Sequence, residues 1–75
     1  MPEIITKNEL GMWPPNETWK AGIWLNREFF HARGSTEQEA VYNLKQHLLN
    51  IIPIYENNIQ VAKAMIEDIR EVTNG

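Results

Sequence analysis

Apolar and polar residues alternate on both sides of Asn26-Arg27, through Trp19-Lys-Ala-Gly-Ile-Trp-Leu25 and Glu28-Phe-Phe-His-Ala-Arg33. A period of two is the pattern of a half-buried strand, and two such runs parted by two residues predict a β-hairpin. Asn26 tolerates the positive φ of a tight turn; Arg27 suits it less well, which leaves a longer loop as the alternative. In the tight register Leu25 pairs with Glu28, Trp24 with Phe29, Ile23 with Phe30, Gly22 with His31, Ala21 with Ala32 and Lys20 with Arg33. One face then carries Trp19, Ala21, Ile23, Leu25, Phe30 and Ala32, with Glu28 at the rim, and reads as core. The other carries Lys20, Gly22, Trp24, Phe29, His31 and Arg33.

After Gly34 the period lengthens to that of a helix. Thr36 and Glu39 have the spacing of a capping box, in which each side chain satisfies a backbone N–H at the helix start. Glu37 and Glu39 also suit the positive end of the helix dipole. A start at Ser35 would move the cap by one residue and change nothing downstream. Ala40, Val41, Leu44, Leu48 and Ile51 mark one apolar face, and Tyr42 and Leu49 a second side, so the helix is expected to touch both the sheet and another helix.

Pro53 removes a donor and disfavours helix at Ile52, which predicts a break or kink there and a second helix from about Ile54 to Val72. Along that helix Tyr55, Ile59, Ala62, Met65 or Ile66, and Ile69 form a stripe close to a coiled-coil seam, with Ile54, Val61, Met65 and Val72 beside it. Asn74-Gly75 is a terminating signal. The first eighteen residues offer one candidate strand, Glu3 to Thr6, and then a Gly-, Pro- and Asn-rich loop. The fold class read from this order is α+β: a small antiparallel sheet of two or three strands followed by two C-terminal helices, in a single domain.

At 75 residues, such a domain buries only roughly 60 to 65% of its unfolded surface. With no cysteine there is no disulfide to supplement the core and no thiolate metal site, so oligomerisation is the expected remedy. The absence of cysteine also fits a reducing compartment. No secretory signal or membrane-spanning run is read in the sequence, and a cytoplasmic location is expected.

The net charge of −3 is unevenly placed. Residues 1 to 34 balance Lys7, Lys20, Arg27 and Arg33 against Glu3, Glu9, Glu17 and Glu28; residues 35 to 75 set Lys45, Lys63 and Arg70 against Glu37, Glu39, Glu56, Glu67, Asp68 and Glu71. The acidity thus belongs to the helical half, which repels a polyanion and favours solubility or a basic protein partner.

No catalytic constellation accompanies this pattern. His31 and His47 lack the spacing of a metal site, Ser35 lacks a nucleophile-elbow context, and Gly34 stands without a phosphate-binding loop. The chain is therefore expected to be no enzyme and to need neither metal nor cofactor.

Two surfaces draw attention instead. Lys20, Trp24, Phe29, His31 and Arg33 combine rings with cations, as the sheets of several RNA-binding domains do. Simple packing is the favoured account, since Trp24 and Phe29 make a good cross-strand pair and Met12-Trp13-Pro14-Pro15 or a second subunit could cover them. Domains that bind phosphates are usually basic overall, so a protein partner is expected here rather than nucleic acid. The second surface is the last helix, where Tyr55, Ile59, Ala62, Ile66 and Ile69 are expected to support a homo-dimer or higher oligomer.

Gly34, Thr36, Glu39, Ala40 and Asn43 match a G-x-T-x-x-E-A-x-x-N pattern. In this the chain resembles HicB-like antitoxins at their strand-to-helix corner, over about a third of its length. The resemblance implies a partial ribonuclease-H-like sheet packed on a helix and a habit of binding proteins. The family's Pro- and Gly-rich stretch before the corner and its appended DNA-binding module are missing, so toxin neutralisation and operator binding are not carried over. The corner also looks like the end of a double-stranded-RNA-binding domain, but Glu37, Gln38 and Glu39 stand where that likeness calls for basic residues. The expectation is a small phage or bacterial regulatory protein that occludes a partner's surface; the alternative is a nucleic-acid-binding module using the basic and aromatic sheet face.

Overall fold

The computed structural model describes residues 3–11, 13–58 and 63–74. Three antiparallel strands, β1 (Ile5–Asn8), β2 (Trp19–Leu25) and β3 (Glu28–Gly34), form a meander in the order β1-β2-β3. Two helices follow, α1 (Glu37–Glu56) and α2 (Lys63–Asn74). This is a small α+β domain, with the sheet at three strands.

The hairpin adopts the tight register, from Leu25 opposite Glu28 to Lys20 opposite Arg33, and Trp19 opposite Gly34 extends it. Asn26 and Arg27 have φ of 49° and 69°, so both turn residues are left-handed and the longer loop is not used. The first strand starts later than the sequence suggested: Ile5–Asn8 replaces Glu3 to Thr6, pairing Ile5 with Gly22 and Lys7 with Lys20. Glu9 continues the ladder by donating its N–H to the Thr18 carbonyl at 2.7 Å.

At the corner Thr36 is the N-cap, and its hydroxyl accepts the Glu39 N–H at 3.0 Å. The reciprocal half of the expected capping box is displaced by one residue. Glu39 accepts from Ser35, through its N–H at 3.1 Å and its hydroxyl at 2.9 Å. Gly34 lets the helix come this close, because a Cβ there would lie 2.6 Å from the Ala40 nitrogen and 2.9 Å from the Glu39 carbonyl carbon. Asn43 then ties the helix to the strand, donating through Nδ2 to the Arg33 carbonyl at 2.8 Å. Each residue of the Gly34-to-Asn43 pattern therefore has a local task, Ala40 being fully buried.

Ala40, Leu44, Leu48 and Ile52 recur every four residues and are the buried residues of α1. They meet Ala21, Ile23, Leu25 and Phe30 from the inner sheet face, and Met65 and Ile69 of α2 close the core. A fully buried Leu is worth about 1.5–3 kcal/mol, so Leu44 and Leu48 are principal anchors of α1.

One expectation for this half is corrected. Helix α1 passes through Pro53 to Glu56 and is capped by Asn57, whose N–H donates to the Pro53 carbonyl at 3.3 Å. Pro53 and Leu49 are both exposed, so the Leu49 carbonyl that loses its helical donor is on the watered side, where the loss is tolerable. Ile54 and Tyr55 consequently belong to α1. Helix α1 does touch both the sheet and α2, as expected, but Tyr42 and Leu49 on its second side are left 62% and 41% exposed.

Candidate functional site

Because the helices pack against the inner face of the sheet, the outward residues of all three strands form one uncovered surface. Parity decides which these are. Cross-strand partners point the same way, so Ile5 and Lys7 of β1 join Lys20, Gly22 and Trp24 of β2 and Phe29, His31 and Arg33 of β3. Trp24 is 61% exposed and Ile5 63%.

Phe29 organises the middle of this surface. Its ring lies across Gly22, which is buried beneath it and has no room for a Cβ. The Trp24 ring leans on one side, with centroids 5.1 Å apart and planes at 49°. His31 stacks at 5.9 Å and 28°, and the Lys20 ammonium is 5.4 Å from the ring centroid. Beside this cluster is a hollow of about 220 Å³ lined by Ile5, Lys7, Lys20, Gly22 and Phe29.

Arg33 lies opposite Lys20 on this face, as expected, but it is already engaged within the chain. Its guanidinium carbon is 3.6 Å from the centroid of the Trp13 ring, Nη2 pairs with Glu9 Oε1 at 2.5 Å, and Nη1 donates to the Glu17 carbonyl at 3.2 Å. It fastens the β1–β2 loop to the sheet and is not a free cation for a partner. The hydrogen bond from Arg33 holds the Glu9 carboxyl below its ordinary pKa of 4.5, with the positive charges of Arg33, Lys20 and Lys7 adding to the effect and partial desolvation opposing it. Trp13 thus covers Arg33, leaving Trp24 open.

The structure places Lys20, Trp24, Phe29, His31 and Arg33 on one face, as predicted, with Arg33 already engaged by Trp13, Glu9 and the Glu17 carbonyl. Sequence reasoning missed Ile5 and Lys7, because the strand was placed two residues early; the alternation Ile5-Thr6-Lys7, continued to Asn8, was the available signal. Nothing in residue spacing announced the contact between Trp13 and Arg33.

In the last helix Ile69 is fully buried in the chain's own core, so its side chain is not exposed to a second copy. Ile66 and Tyr55 are half-buried against the same core, while Ile59 and Ala62 lie outside the described residues. Burial, followed by the neighbouring Glu28 carboxylate, raises the Tyr55 pKa above 10.0.

His47 leans on Phe30, with ring centroids 6.3 Å apart. Among the described residues no three His, Asp or Glu side chains gather where a metal ion could be held, and no helix there is long and apolar enough to cross a membrane. The bare sheet face is the candidate site, and its chemistry is that of contact: exposed rings, an aliphatic edge and two lysines around a shallow hollow. No family model, curated protein or solved structure matches the chain.

Proposed function

We propose that this chain is a non-enzymatic protein-interaction module that covers a partner's surface with the outer face of its sheet. One observation carries the reading: Trp24, Phe29 and Ile5 lie exposed together on a face that neither helix approaches. Aromatic side chains of this kind supply much of the binding energy at protein interfaces. A cytoplasmic regulatory or inhibitory role, in a bacterium or phage, belongs to the same proposal. HicB-like antitoxins also act by binding proteins. Their motif is accounted for here by packing at the corner, so the functional reading rests on the sheet.

Nucleic-acid contact would use the same surface with less to support it. Arg33 is occupied by Glu9, and the Phe29 ring is hemmed in by Gly22, Trp24, His31 and Lys20, leaving Trp24 as the open stacking platform of that set. Modules that read bases on a sheet commonly stack two or three of them.

Binding measured before and after Trp24→Ala tests the proposal. Loss of a specific protein partner with unchanged unfolding midpoint is the expected result. Retention of that partner at full affinity would move the site elsewhere.

A further inference from the structure

We infer that the occupant of the bare sheet face is an acidic segment of another protein, with an apolar side chain seated between Ile5 and Phe29 and carboxylates on Lys7 and Lys20. The inference rests on the reading of this face as a protein-binding surface and adds the chemistry of the partner.

The charges point to it first. Lys7 and Lys20 are direct cross-strand partners, an arrangement in which like charges repel. Among the described residues neither lysine has an ion pair, and the nearby Glu9 is committed to Arg33. The face thus keeps two cations without an ion pair among the described residues, on a chain of net charge −3. An incoming carboxylate relieves their repulsion, while the acidic helical half turns away a partner that is negative throughout.

The hollow points the same way. Between the two lysines and Phe29 its lining is Ile5 and Gly22, so the cations border an apolar floor. Its volume of about 220 Å³ falls below the roughly 300–1,000 Å³ of small-molecule pockets and suits a single anchoring side chain. A polynucleotide would require cations spaced along a backbone path. Here two cations flank one apolar seat.

A random-peptide library selected on the immobilised full chain tests this. The expected winners combine Asp or Glu with Phe, Leu, Ile or Trp. A synthetic winner should weaken about tenfold or more for Lys7→Glu with Lys20→Glu, with circular dichroism showing both forms folded. A Lys-for-Asp/Glu version of that peptide should then prefer the Lys7→Glu, Lys20→Glu protein to the wild type.

Other outcomes overturn the inference at different levels. Neutral or basic winners that still depend on Trp24 would remove the acidic segment and leave the binding face. An empty selection would remove the acidic segment, and winners indifferent to Trp24→Ala would remove the face as well. A labelled single-stranded oligonucleotide that binds more tightly than any peptide, and is lost with the lysines, would make the occupant a polynucleotide. A concentration-dependent dimer dispersed by Trp24→Ala would make it a second copy of this chain.

Discussion

The Phe29 ring lies directly over Gly22 on the diagonal of the β2–β3 pairing, taking the space a side chain at position 22 would occupy. The obstructing atoms belong to the end of a side chain that can swing outward, which makes the contact testable by a double-mutant cycle.

Gly22→Ala is expected to destabilise the wild type by about 1 kcal/mol, the usual cost of forcing a ring off its preferred rotamer. In a Phe29→Ala background the same change should be neutral or stabilising, since alanine is otherwise preferred to glycine within a strand. Urea unfolding of the four proteins measures the coupling, and equal effects in both backgrounds would contradict it.

At Gly34 the obstruction is helix backbone at Glu39 and Ala40. Gly34→Ala should therefore cost about 3 kcal/mol, at the upper end for overpacking, since the whole corner must shift. Chemical denaturation checks this, with Gly22→Ala as the mild counterpart.

Thr36→Ala removes the hydroxyl that caps Glu39 and should cost about 0.5–2 kcal/mol. Binding by the sheet face should be unaffected at temperatures where the variant is folded. An affinity loss larger than the unfolded fraction explains would place Thr36 in an interface.

Ile69→Asp should unfold the chain rather than dissociate an assembly, because Ile69 is fully buried among residues of its own chain. Unfolding transitions at widely different protein concentrations make the distinction. A folded Ile69→Asp monomer replacing a wild-type dimer would return the last helix to an intermolecular role.

The pH dependence should have two assigned branches. The Glu9 pKa is lowered on folding, so its contribution is complete above about pH 4.5 and lost as pH falls through the lower folded value. The Tyr55 pKa is raised, so its contribution is complete below about pH 10 and lost as pH rises towards the higher folded value. Glu9→Gln should flatten the acid branch and Tyr55→Phe the alkaline one, each read from unfolding midpoints across pH.

The hairpin was legible because a two-residue turn and period-two alternation leave one register that puts Ile23, Leu25 and Phe30 on the same side. The corner was legible because Thr36 and Glu39 act through neighbouring residues. Pro53 misled because its cost depends on where the freed carbonyl points, which is a property of helix orientation in the finished fold. The site was half legible for a related reason. Strand parity put Lys20, Trp24, Phe29 and His31 on one face, but only tertiary structure could show Arg33 engaged by Trp13 and Glu9, or Lys7 arriving from another strand.

With both helices on one side of the meander, the molecule is a two-layer object whose exposed sheet can receive a third. An occupant would add to a framework already folded, with Phe29 held in place by Gly22, His31 and Trp24 before contact. Little ordering entropy would then be spent at the moment of binding. Association should behave as rigid-body docking, fast and sensitive to ionic strength, and the departing water should register as a fall in heat capacity.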